Sequence, residues 1–209
     1  MVVSAAHAAC DAEPFGGLPR SIVSEQTWVN GVSLSIAELP SLDAVEARDH
    51  FVDFWRRAGS TSRTNNRDGI EVTSVLKGSC LYSLQRASDA AGDAARYVVS
   101  DLRRPAPSLP REFDWPPATE GTVLTDTISE DNGKLSRLLS YRVEASSKLA
   151  LRQCVRRLTQ ADWQLEALTQ INEQHYVFHG RKRRVGIDVT IARDGGGAVV
   201  TLNFAQSDG

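Results

Sequence analysis

The chain has 209 residues, 41% of them hydrophobic and 24% charged, with 24 basic against 26 acidic side chains and a formal net charge of −2. That balance is ordinary for a globular protein and excludes a disordered, collagen-like or coiled-coil chain. Apolar runs are only a few residues long, far short of the roughly 18 that a membrane-crossing helix needs, and the near-neutral charge argues against a uniformly basic nucleic-acid binder.

Residues 1–20 read as a flexible N-terminus. Within it, Ala6-His7-Ala8 has the small-x-small form that signal peptidase accepts, without the basic start and apolar stretch that precede such a site in a complete signal. Two readings stay open, the remnant of an export signal and a plain alanine-rich terminus. In a third, Ala8-Ala9-Cys10 is a lipobox with Cys10 acylated, but His7 stands where a lipobox carries an apolar residue.

The next elements read as a module over residues 21–104. Asn30-Gly31 lies between two alternating β-prone runs, the strongest local hairpin signal. Ser41 is placed to cap a helix on which Ala44, Ala47, Phe51, Phe54, Trp55 and Ala58 recur at helical spacing before Gly59 ends it. Strands follow at Ile70 to Leu76, Cys80 to Arg86 and Ala95 to Leu102.

Pro105, Pro107, Pro110, Pro116 and Pro117 then crowd one short segment, and proline both fixes φ and removes a ladder donor. Residues 105–118 therefore read as a linker. The second module, residues 119–209, repeats the order of the first. A turn at Asn132-Gly133 joins two strands, Ser146 or Ser147 caps a helix with Leu151, Cys154, Val155 and Leu158 on one face, and four strands follow from Trp163, His175, Val185 and Ala198. Gly180 to Arg183 and Asp194 to Gly197 read as the turns between the last three strands. The expected fold class is α+β, two tandem modules, each an antiparallel sheet covered on one face by a single helix, in the order β-hairpin, helix, β-meander. The repeat rests on element order, since the two halves share little sequence.

Candidate chemistry is sparse. There is no Gly-x-Ser-x-Gly elbow. Cys80 falls inside a strand and reads as a buried small hydrophobe, as does Cys154; in an oxidising compartment the same two could join as a disulfide. His175 and His179 share a strand face with their rings roughly 13 Å apart, too far for one metal. His50, beside Asp49 and Asp53, lacks a third ligand. Asp194 to Gly197 is followed by a strand rather than the helix N-terminus a phosphate loop needs. No metal site and no cofactor are expected.

Charge placement is the most informative feature. Between Lys148 and Arg184 stand Lys148, Arg152, Arg156, Arg157, Arg181, Lys182, Arg183 and Arg184 against Asp162, Glu166 and Glu173, a local excess of positive charge in a chain that is negative overall. Lys148, Arg152 and Arg156 fall on one helical face, and Arg181, Lys182, Arg183 and Arg184 surround a hairpin turn. These seven residues are the candidate partner-binding set. Either water screens them or an anionic partner neutralises them.

In element order alone the modules resemble the small helix-on-sheet domains used as adaptors in bacterial envelope machines. The expectation is a non-catalytic protein-binding adaptor of the bacterial cell envelope, an accessory component of a secretion or pilus assembly, periplasmic or associated with the outer membrane. The alternative is a cytoplasmic module that binds nucleic acid or another anionic ligand through the basic strip.

Overall fold

A computed structural model describes residues 10–87, 95–115, 121–172 and 174–207. In chain order the elements are β1 (Ser21–Val29), β2 (Val32–Leu39), α1 (Ala44–Arg57), β3 (Arg63–Arg67), β4 (Ile70–Lys77), β5 (Cys80–Ala87) and β6 (Ala95–Asp101). A 3₁₀ turn, Arg111–Phe113, precedes β7 (Thr122–Asp131), β8 (Lys134–Val143), α2 (Ser147–Gln160), β9 (Gln164–Asn172), β10 (His175–Lys182), β11 (Val185–Asp194) and β12 (Gly197–Gln206).

The α+β expectation is corrected here. With 54% of the chain in strands and 17% in two helices, the fold is mainly β. The strands are not divided between two helix-covered modules but follow one hydrogen-bonded order, β3-β4-β5-β6-β2-β1-β7-β8-β12-β11-β10-β9. The reason lies in β1, whose last three residues pair with β7 in the register Thr27↔Ser129, Trp28↔Ile128, Val29↔Thr127. The local pattern that identifies a hairpin carries no information about which distant strand satisfies its outer donors.

The chain divides into two compact units, one running to Gln26 and resuming over Val32–Pro105, the other combining Thr27–Gly31 with the residues from Ala106 onward. In the first, the 3.6-residue period of α1 turns Ala44, Ala47, Phe51 and Trp55 inward. They pack on Leu39, Val75, Tyr82, Leu84 and Tyr97, with the Trp55 and Tyr82 rings 4.7 Å apart. The helix is capped by Asp43 rather than Ser41: the Asp43 carboxylate accepts from the backbone N–H groups of Val45 and Glu46, both at 2.8 Å.

The N-terminal segment is corrected as well. From residue 10 it is part of this core: Phe15 is buried, stacks on His50 and Phe51, and meets Tyr97 edge-on. The His50 ring nitrogen bonds the Pro14 carbonyl at 2.7 Å, and the Tyr97 hydroxyl donates to the Ala12 carbonyl at 3.0 Å. Burial pushes the Tyr97 phenol well above its ordinary pKa, so it stays a donor at any physiological pH. Cys10 is joined to Cys80 by a disulfide with the Cα atoms 5.6 Å apart, while Cys154 is free and buried. This replaces both the free Cys80 and the Cys80–Cys154 pairing, and it leaves no Cys10 thiol to acylate. Ala6-His7-Ala8 lies outside the described residues.

In the second unit α2 buries Ser147, Ala150, Cys154 and Leu158 against Leu139, Tyr141, Ile187, Val189, Leu202 and Phe204. Ser146 is the cap, accepting from Leu149 N–H at 3.3 Å. The proline-rich segment contributes to this core: Phe113 and Trp115 are buried, and Trp115 Nε1 donates to the Tyr141 hydroxyl at 3.1 Å. Arg137, buried on β8, donates through two nitrogens to Asp126 at 2.8 Å and through a third to the Phe113 carbonyl at 2.8 Å, fixing that segment to β7 and β8. Pro116, Pro117 and Ala118 lie outside the described residues, as does Glu173.

Register is set at the turns. Asn30-Gly31, Asp68-Gly69 and Asn132-Gly133 each place two successive residues at positive φ, the geometry of the two-residue hairpin whose twist matches its strands. The basic hairpin is shifted from its expected place: Gly180, Arg181 and Lys182 extend β10, and Arg183-Arg184 forms the turn. Likewise Asp194 and Gly197 are strand residues, and only Gly195-Gly196 turns.

The Cys10–Cys80 bond spans 70 residues of sequence, so its removal frees the unfolded chain and releases the N-terminal strap. Replacing both cysteines with serine is expected to lower unfolding free energy by about 2 to 5 kcal/mol. Alkylation of the denatured, unreduced protein should label Cys154 alone, and alkylation after reduction all three cysteines; labelling of three thiols before reduction would contradict the pairing.

Candidate functional site

The second unit carries a basic helix face, a basic hairpin and a strand edge with no neighbouring strand among the described residues. On α2 the apolar period buries one face and leaves Lys148, Arg152 and Arg156 exposed. At about 100° per residue, Lys148 lies roughly half a turn around the helix from Arg157. Arg157 stacks over the Trp115 ring at 5.1 Å, and Trp115 bonds Tyr141 of β8, so the Arg157 side leans toward β8. Lys148 and Arg152 are on the opposite side, pointing away from β8, and α2 packs over β9 as well as over β10, β11 and β12. Lys148 to Arg156 spans about 12 Å of helix, the length of about four strand residues.

β9 ends the sheet. One side pairs with β10, and among the described residues the other has no strand beside it. The pairing is regular over Leu168, Thr169 and Gln170, opposite Phe178, Val177 and Tyr176, with register shifts on either side. Leu168 and Ile171 are 55% and 65% exposed, which for large apolar side chains on a free edge is a docking feature or a liability. The other end of the order, β3, reads Arg-Thr-Asn-Asn-Arg with every residue exposed, an edge blunted by polarity and charge.

The basic hairpin is divided in its roles. Lys182 Nζ donates to the Ala161 carbonyl at 2.6 Å, placing a cation at the negative end of α2. Arg183 pairs with Glu112 of the 3₁₀ turn at 3.0 Å and so holds the proline-rich segment. Arg181, Lys182 and Arg183 line an open depression with Asp162 and Gln164. Arg181 and Arg184 are exposed, and among the described residues their side chains have no ion-pair partner. Of the seven candidate residues, Lys182 and Arg183 therefore have structural work. Lys148 stands near the opposite end of α2 from the hairpin, about 18 Å away along the helix axis.

Leu168 and Ile171 were not predicted. The only signal in the sequence is that Leu165, Leu168 and Ile171 recur at every third residue, which breaks the alternation of a regular strand. The structure explains this by the register shifts that break β9.

His175 and His179 are partnered by Asn172 and by Asp188. Among the described residues no group of histidine, cysteine, aspartate and glutamate is arranged to hold a metal ion. No helix among them is long and apolar enough to cross a membrane. No family model, curated protein or solved structure matches the chain.

The division of roles is measurable. Lys182→Met, which keeps the stem and removes the charge from the α2 terminus, should lower stability by about 0.5 to 1 kcal/mol in urea unfolding. Arg184→Ser, on an exposed residue of the turn, should change it by under about 0.5 kcal/mol. Equal effects would contradict the capping role.

Proposed function

We propose that the protein is a non-catalytic protein-binding adaptor that works outside the cytoplasm, in the bacterial cell envelope, as an accessory component of a secretion or pilus assembly. The observation that carries this reading is the free edge of β9 with Leu168 and Ile171 exposed on it. An extended segment of another protein satisfies such an edge through main-chain hydrogen bonds, and the apolar side chains along it select the segment. The compartment is supported by the Cys10–Cys80 disulfide, since structural disulfides persist in oxidising compartments and are rare in the cytosol. The same bond weighs against the cytoplasmic nucleic-acid module.

A photoreactive amino acid placed at Leu168, and at Asn65 of the blunted β3 edge, tests the reading in cells. The expected result is a discrete protein adduct in the envelope fraction from position 168 and none from position 65. Adducts in the cytosolic fraction that vanish on nuclease treatment would favour the anionic-ligand module instead.

A further inference from the structure

Resting on the docking role of β9, the charge beside it specifies the partner further. We infer that the β9 edge takes an extended acidic segment, which pairs with β9 as an added strand while its carboxylates face Lys148, Arg152 and Arg156.

Three observations carry this. First, Lys148 and Arg152 project from the side of α2 away from Arg157, with Arg156 next to them on the outward face, and the three span a length that matches Leu168 to Ile171 of β9. Second, among the described residues none of Lys148, Arg152 and Arg156 has an ion-pair partner, and successive members repel one another at i,i+4. Third, Lys148 occupies the first turn of α2, where a cation opposes the helix dipole and where no acidic residue offsets it. α1 follows the opposite rule, with Asp43 and Glu46 at its start and Arg56 and Arg57 at its end. The placement on α2 therefore works against the helix that carries it, and an anionic partner alongside removes the penalty. Glu166, exposed near the start of β9, limits the attraction at that end, so the acidic part of the segment lies toward Leu168 and Ile171.

The test uses the oxidised full chain and a synthetic peptide of about nine residues alternating valine and glutamate, followed by fluorescence anisotropy. Binding is expected to weaken at least about tenfold between low and physiological salt. It is expected to fall at least about tenfold in the triple variant Lys148→Glu, Arg152→Glu, Arg156→Glu, whose fold is checked by its circular dichroism spectrum and a cooperative melting transition, and to be replaced there by preference for a valine–lysine peptide. Methylating the backbone nitrogens along one side of the valine–glutamate peptide should abolish binding, because the ladder donors are gone while every charge remains. The inference is overturned if the acidic peptide shows no binding up to about 1 mM. It is also overturned if binding survives charge reversal or backbone methylation, or if single-stranded DNA displaces the peptide at lower concentration than unlabelled peptide does. A protein adduct at position 168 together with any of these results leaves the adaptor role standing and removes only the acidic segment.

Discussion

A terminal strand in an antiparallel order leaves a row of backbone donors and acceptors unpaired, and among the described residues β3 and β9 stand at such ends. At β3 the row is blunted: Arg63 and Arg67 flank three polar residues, and nothing apolar is offered to a neighbour. At β9 it is not, because Leu168 and Ile171 stand exposed on the edge. Two edges of one strand order treated so differently are the basis for reading β9 as a surface for a partner.

Each unit builds its core by the same means, a 14-residue helix whose apolar stripe lies on the apolar face of pleated strands. Each adds a segment from outside regular structure. In the first, the disulfide, Phe15 and the bond from Tyr97 to Ala12 hold the N-terminal strap over α1. In the second, Phe113, Trp115 and Arg137 hold the proline-rich segment, and Arg183 reaches it through Glu112. Lys182 and Arg183 of the basic strip thus secure the fold, while Lys148, Arg152, Arg156, Arg181 and Arg184 are exposed without an ion-pair partner among the described residues.

Much of the local structure was legible because it rests on local rules. Asn30-Gly31 and Asn132-Gly133 can adopt positive φ at both turn positions, and the spacing of Phe51 and Trp55 or of Cys154 and Leu158 permits one buried helical face. What depends on distant partners was not legible. β3 has no apolar residue to mark it, and β1 gives no sign that Trp28 will lie opposite Ile128. Cys10 and Cys80 are 70 residues apart, and the segment that carries Cys10 is set by contacts of Ala12, Pro14 and Phe15 with Tyr97 and His50, which no local pattern announces. At the site, charge clustering marks Lys148, Arg152 and Arg156, which the structure exposes on α2, but the exposed edge of β9 is hidden by its register shifts, and the structural roles of Lys182 and Arg183 depend on Ala161 and Glu112, which no spacing connects to them.

The central claim, that β9 is an edge awaiting a strand, is tested most directly by amide hydrogen exchange resolved along the chain, with and without saturating acidic peptide. The account predicts slowed exchange in Leu168 to Asn172, where outward-pointing amides gain acceptors, and unchanged exchange in Arg63 to Arg67. Protection that appears at Arg183-Arg184 or in β3 while β9 remains unprotected would contradict it.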